Sequence, residues 1–326
     1  MKILITGYHG FVAQNLIPYL KGQGHELYGL GRNGTMVDEL TQTFTWDELN
    51  VINDQPSTIN FDAIIHLAGK AHDTKNQTEA DVYFKVNRDL TVKAYNFFLH
   101  HPEIKTFIFF SSVKAAADKV LGEKLTEDVT RTPKGPYGES KAEAEKEILS
   151  MRLTDDPMAP MPTEGRKVYI LRPCMMHGPG NKGNLNLLYK MVKTGLPWPL
   201  GSFENKRSFA SIKNVCYVVG RLLTGDVPNG IYNIADDEAL STNELIDVIC
   251  KALGKKAHIW RFGRGAMTTM AHLGTALHLP LNDERLAKLT ENYVVDNTKI
   301  KQALGIKAMP IDTRGGLTFT IKSFGA

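Results

Sequence analysis

Cysteine is scarce in this chain. Cys174, Cys216 and Cys250 are odd in number, far apart and without a C-x-x-C or Cys/His ligand spacing. A disulfide framework and a sulfur-ligated metal centre are therefore not expected, and all three thiols should be reduced and buried. Long apolar runs are also missing. No stretch approaches the ~18 residues that cross a bilayer, and the first residues read as a strand, not as a charged region followed by a hydrophobic one. The expectation is a soluble, cytoplasmic protein with no membrane partner. Charge of one sign is lacking too, since 39 basic residues stand against 35 acidic ones for a formal +4. No basic block or basic-aromatic stripe stands out, so no nucleic-acid partner is expected. Repeats and low-complexity tracts do not stand out either.

What is present is alternation. Apolar, β-branched runs at Lys2 to Thr6, Glu26 to Gly29, Ala63 to Leu67, Thr106 to Phe110 and Val168 to Leu171 are separated by helical patterns. That order implies an α/β, Rossmann-type doubly wound parallel sheet with helices on both faces. The 326 residues exceed one typical core and suit two unequal lobes. Pro/Gly-rich loops begin at Pro173, and Ile231-Tyr-Asn-Ile234 reads as one more sheet strand. Residues 1–173 with about 207–236 are thus expected to form the dinucleotide-binding domain. Residues 174–206 and 237–326 are expected to form a smaller mixed α/β substrate lobe. Met151 to Arg166, broken by Pro157, Pro160 and Pro162, reads as a surface insertion.

The first strand runs into Gly7-Tyr-His-Gly10-Phe11-Val12-Ala13. A turn this tight brings backbone N–H groups up to a pyrophosphate at a helix N-terminus, where a side chain would block the approach. Gly7, Gly10, Phe11 and Val12 are therefore candidate dinucleotide contacts. Pro18 lies within the following helix and predicts a local kink. The second strand closes as Gly29-Leu-Gly31-Arg32-Asn33, about 20 residues past Gly10, with no acid to accept from a ribose 2′-OH. Arg32, beside Asn33, instead puts a permanent cation where a 2′-phosphate would sit. This favours NADP(H) over NAD(H); the alternative is that Arg32 stacks on adenine and serves both. Asp47 is a candidate contact for the adenine amine.

Tyr137 and Lys141 stand four residues apart in Tyr137-Gly-Glu-Ser-Lys141, which puts a phenol and an amine on one helix face, an arrangement suited to proton transfer beside a nicotinamide. A buried strand ending in Ser111-Ser112 delivers Ser112 to the sheet's ligand edge. Taken alone, each motif has an ordinary alternative, a surface pair or a glycine turn.

Together with His66-Leu67-Ala68-Gly69, Val86-Asn87, Arg172-Pro173 and Gly178-Pro-Gly180, these motifs resemble the extended short-chain dehydrogenase/reductase superfamily in its nucleotide-sugar epimerase/dehydratase branch, over nearly the whole chain. Within it, Ser-Ser-Val-Lys114, Pro179 to Asn184, Gly195 to Gly201 and Val295 to Ile300 resemble UDP-4-keto-6-deoxy-HexNAc reductases of the UDP-N-acetylquinovosamine type. The resemblance implies Ser112, Tyr137 and Lys141 as the catalytic set, with Tyr137 as acid/base. Leu67, Ala68 and Gly69 would run along the cofactor, the His66 side chain being structural. Asn87 would order the nicotinamide side or cap a helix start. Asn184 and Arg207 match diphosphate-holding positions of UDP-glucose 4-epimerase-like proteins, against the alternative of Lys206-Arg207 as a solvated pair. Lys114 stands near the reacting sugar or on an exposed loop. A UDP-sugar substrate and a homodimer are the implied partners; a 4-epimerase and a non-catalytic cofactor-binding regulator are the other readings of the same residues.

Overall fold

The computed structural model describes residues 1–49, 59–70, 79–153, 165–181, 183–277 and 282–325. Nine strands occur among them: β1 (Lys2–Thr6), β2 (Glu26–Gly31), β3 (Gln42–Thr45), β4 (Ala63–His66), β5 (Thr106–Phe110), β6 (Lys167–Pro173), β7 (Met175–His177), β8 (Phe209–Ser211) and β9 (Gly230–Ile234). Seven form one sheet in the order β3-β2-β1-β4-β5-β6-β9. Every pairing in that sheet is parallel, so the expected doubly wound α/β fold is observed.

The strand sequences explain the layering. Side chains alternate across a strand, so Ile3 and Ile5 enter one core while Leu4 enters the other. The same alternation sends Ile108 and Phe110 one way and Phe107 and Phe109 the other. Both faces are apolar, and helices cover each. The helix Phe11–Gly22 buries Ala13, Leu16, Ile17 and Leu20 on the first face, and the helix Leu90–His100 buries Ala94, Tyr95, Phe97 and Phe98 on the second. A third apolar cluster gathers Leu185, Trp198, Leu200, Leu245, Ile249 and Leu317 away from those two. Tyr293, Val295, Ile300 and Leu304 nevertheless pack into the first cluster, so the chain returns to the main sheet near its end.

The strand reading missed β3, β7 and β8. The first is a half-exposed edge strand, and the other two are three-residue strands that pair only with each other. The helix Phe11–Gly22 continues through Pro18. Pro18 and Gln14, whose carbonyl would lose the proline N–H, are both exposed, so water can satisfy that oxygen. Most of the expected surface insertion lies outside the described residues. Its last residue, Arg166, is buried and donates to the carbonyls of Ile104, Phe98 and His101, an anchor and not a surface position. Cys174, Cys216 and Cys250 are free and buried, as expected.

Candidate active site

The strand order reverses between β1 and β4, and at that point the loops after the two strands meet. Gly7 has φ 67°, and a Cβ on it would stand 2.7 Å from both N and Cα of Ala68. Only glycine lets these backbones approach so closely. Thr6 Oγ1 accepts from the Ala68 N–H at 3.0 Å and sits 2.8 Å from His66 Nδ1. His66 Nε2 lies 2.9 Å from Thr91 Oγ1, which gives its own proton to the Asn87 carbonyl. Nε2 therefore carries the imidazole proton and Nδ1 accepts from Thr6. Burial beside Lys141 pushes the His66 pKa down to about 3, so the ring is neutral. It is a strut, in keeping with the structural role expected for it.

Asn87 does not cap a helix start. It lies in a π turn (Lys85–Asp89) between the helices Ala80–Phe84 and Leu90–His100. Its Oδ1 accepts from Lys70 N–H at 2.8 Å, and its Nδ2 donates to Ser140 Oγ at 2.9 Å and the Lys70 carbonyl at 3.2 Å. It thereby ties the Leu67–Ala68–Gly69 loop to the helix carrying Tyr137 and Lys141. A Cβ at Gly69 would meet Asn87 Oδ1 and Lys141 Nζ, each at 3.1 Å, so that position must stay small.

Tyr137 and Lys141 share the helix Gly135–Leu153. The Tyr137 hydroxyl is hydrogen-bonded to the Ser112 side chain. Burial raises the phenol pKa; the bond to Ser112 opposes the rise and Tyr83, packed edge-on with ring centroids 6.4 Å apart, adds to it. Ser112 Oγ also accepts from Lys114 N–H, capping a short helix at 3.2 Å. Lys141 Nζ donates to the Phe110 carbonyl at 2.8 Å and lies 4.9 Å from the Phe109 ring centroid. Burial lowers its pKa to about 8, against the opposing pull of Glu145. The structure thus assembles Ser112, Tyr137, Lys141, Asn87 and Gly69 in one place.

Glu145 was missed by sequence reasoning. It continues the series Tyr137, Lys141, Glu145 at four-residue steps and is fully buried. Arg172 grips it as a fork, Nε to Oε1 at 2.9 Å and Nη2 to Oε2 at 2.6 Å. Ser111 donates to Oε1 at 2.5 Å, and Arg131 Nη2 stands 3.4 Å from Oε2. The i,i+8 spacing was a usable signal; the partner 27 residues on was not.

The other candidates are placed as follows. Gly10 caps the helix Phe11–Gly22 without a side-chain bond, and its first turn, with Phe11 and Val12, holds no acid. Those free N–H groups and the glycine approach fit a dinucleotide diphosphate. Arg32 and Asn33 are exposed past β2, with no hydrogen-bond or ion-pair partner for Arg32 among the described residues. At Gly31 itself a side chain is disfavoured, because a Cβ there would stand 2.8 Å from the Tyr8 ring. Asp47 is exposed just past β3. Lys114 is engaged elsewhere: Nζ binds the Asp118 carbonyl at 2.6 Å and carboxylate at 3.1 Å, and lies 4.6 Å from the Tyr293 ring centroid. Arg207 is not a solvated pair with Lys206. Its Nη2 faces the Glu291 carboxylate at 3.6 Å and its Nε the Glu291 carbonyl at 3.3 Å, while burial lowers its pKa. Asn184 begins the helix Asn184–Lys193, and its side chain lies outside the described residues. Among the described residues, no group of His, Cys, Asp or Glu could hold a metal ion, and no helix is long and apolar enough to cross a membrane.

A parallel sheet with a glycine turn at its switch point and a phenol, amine and hydroxyl gathered beside it defines a nicotinamide-dependent oxidoreductase class. Residues 3–235 match the description "NAD dependent epimerase/dehydratase family", and the chain belongs to that family. It is 30% identical over 260 residues to the UDP-glucose 4-epimerase of Vibrio cholerae, covering 78% of this chain and 76% of that protein. It is 24% identical over 268 residues to the GDP-6-deoxy-D-mannose reductase of Pseudomonas aeruginosa, covering 76% and 79%. The fold matches the Bordetella bronchiseptica enzyme WbmG, solved with NAD, at a TM-score of 0.74 and 18% identity, over 100% of this chain and 94% of that one.

Proposed function

We propose that this enzyme is a nucleotide-sugar oxidoreductase acting at sugar C4, and that it reduces a UDP-4-keto-6-deoxy-N-acetylhexosamine with NADPH for cell-surface polysaccharide assembly in the cytoplasm. Residues 1–173 with about 207–236 would hold the cofactor, and 174–206 with 237–326 the UDP-sugar. The observation that carries the reading is the end of β2. No acid stands there, Gly31 has no room for one, and Arg32 is free to meet a 2′-phosphate. An enzyme that must exchange oxidised for reduced cofactor each turnover is the one that gains from reading that phosphate. A homodimer through the helices packed around Tyr137 belongs to the same reading.

When bound, the nicotinamide supplies the hydride to sugar C4. The chain's own groups do the rest. Tyr137 donates its proton to the C4 oxygen as the carbonyl becomes an alcohol, and Ser112 donates a hydrogen bond to the same oxygen as negative charge grows on it. Lys141, as an ammonium, stabilises the phenolate left behind and orders the ribose hydroxyls. The raised pKa of Tyr137 suits an acid that holds its proton until that step. Arg207 would leave Glu291 to fork onto the diphosphate, with Asn184 beside it.

A second reading is a UDP-sugar 4-epimerase, favoured by the 30% identity to the V. cholerae enzyme. Incubation with UDP-4-keto-6-deoxy-GlcNAc and NADPH, beside UDP-GlcNAc alone, separates the two. Stoichiometric loss of NADPH absorbance with the keto sugar is expected. Interconversion of UDP-GlcNAc without cofactor consumption would replace reductase by epimerase, and no turnover of any sugar nucleotide would leave a cofactor-binding regulator.

A further inference from the structure

The segment after the helix Thr242–Ala252 carries charge of one sign. No Asp or Glu occurs between Asp247 and Asp283, while Lys255, Lys256, Arg261 and Arg264 all fall there. These four cations are exposed, and none has a carboxylate partner among the described residues; Lys255 and Arg264 donate only to the carbonyls of Lys193 and Ser202. Interleaved with them, Trp260 is 52% exposed and Phe262 46% exposed, their rings edge to face. Backbone bridges from Trp198 to Ile259 and from Leu200 to Arg261 hold this run against the Gly195–Gly201 loop, whose Leu196 is also exposed. The helix Arg264–Ala276 follows, with Met270, Leu273 and Leu277 exposed on one flank, beside the buried Met267, Ala271 and Gly274. A cavity of about 350 Å³ between Met191, Trp198 and Ile246 shares Leu196, Lys255, Lys256 and His258 with this surface, and the buried Trp198 indole N–H has no acceptor among the described residues.

We propose that this surface of the substrate lobe docks onto an anionic phospholipid bilayer, lying against the membrane without crossing it. The sequence reading weighed only spanning segments and nucleic-acid footprints and overlooked this basic-aromatic run. Its chemistry is that of an interfacial anchor: Lys and Arg for the lipid phosphates, Trp and Phe at headgroup depth, Leu and Met below. A second copy of the chain fits poorly. An isologous contact would set the four cations against the same four, with no acid in the segment to answer them. The proposal does not depend on which sugar nucleotide is the substrate.

The test is vesicle binding by the full chain. Trp46 and Trp198 are buried, so a change in tryptophan emission on adding lipid reports Trp260. Vesicles of phosphatidylcholine with phosphatidylglycerol should co-sediment the protein and shift its emission to the blue, while pure phosphatidylcholine vesicles should do neither. High salt should remove the ionic part of the binding and leave a weaker, salt-resistant remainder. Lys255→Glu with Lys256→Glu should weaken it at least about tenfold, since each cation near such a surface contributes about a factor of five. Trp260→Ser with Phe262→Ser should abolish the residual, salt-resistant part. Equal affinity for neutral vesicles, or none for anionic ones, overturns the proposal. So does a dimer in solution that Trp260→Ser with Phe262→Ser converts to monomer while wild type ignores lipid.

Discussion

Two charged regions of this chain are built on opposite terms. Between the helix Gly135–Leu153 and β6, Glu145 and Arg172 are almost wholly withdrawn from water, and the carboxylate is met by Arg172, Arg131 and Ser111. In the run from Lys255 to Arg264, the cations stand in solvent with no carboxylate near in sequence. A buried charge must be answered inside the fold, and the answer fixes where its neighbours sit. An exposed block of one sign leaves the answer to something outside. The first arrangement defines a position; the second leaves a surface open to a partner.

The contrast can be broken from either side. The largest expected effect is at Tyr137, where Tyr137→Phe removes the proton carrier and keeps the ring. Turnover should fall by ~10²–10⁴-fold with cofactor affinity unchanged. A variant keeping more than a tenth of the wild-type rate, measured at saturating cofactor, would remove Tyr137 from the acid/base role.

Next is Glu145→Ala, which strands Arg172 in the core. Unfolding by urea should show a loss of about 3–5 kcal/mol, the usual cost of leaving one member of a buried pair. Lys255→Ala, in the open region, should stay within about 0.5 kcal/mol of wild type. Equal losses at the two sites would erase the comparison.

The pH response sharpens it further. Lys141 has its pKa lowered to about 8 by burial, whereas an unfolded lysine titrates near 10.4. Between those values the unfolded chain binds more protons, so this group makes stability rise with pH. On the proposed role of the Lys141 ammonium, turnover should fall over the same interval. Lys141→Met should abolish both slopes and raise the melting temperature at pH 7. A wild-type profile in which stability and rate move together above pH 8 would contradict this.

The smallest effect is at Arg32. Arg32→Ala should lower the NADPH-to-NADH affinity ratio about tenfold, corresponding to one charge-assisted hydrogen bond of roughly 1.5 kcal/mol. Equal losses for both cofactors in titration would show that Arg32 does not read the 2′-phosphate and would strengthen the epimerase reading.

Much of the fold was legible because its signals are local. Five of the long strands and β9 announce themselves as apolar, β-branched runs, and the Gly7 to Ala13 turn follows the first of them directly. Tyr137 and Lys141 could be paired on paper, since four residues on a helix bring side chains together whatever surrounds them. The short strands β7 and β8 could not be seen, because three residues show no periodicity.

The sequence by itself determined the alternation of strand and helix, the glycine turn, and the phenol and amine on one helix face. Tertiary structure decided which polar groups answer one another. It joined Glu145 to Arg172, turned Lys114 onto Asp118, set Arg207 against Glu291 and made His66 a strut between Thr6 and Thr91. It also left the Lys255 to Arg264 run facing water. The physical reason is range: helix and strand preferences act over a few neighbouring residues, whereas a buried charge or imidazole finds its partner only after the strands that carry them have been packed side by side.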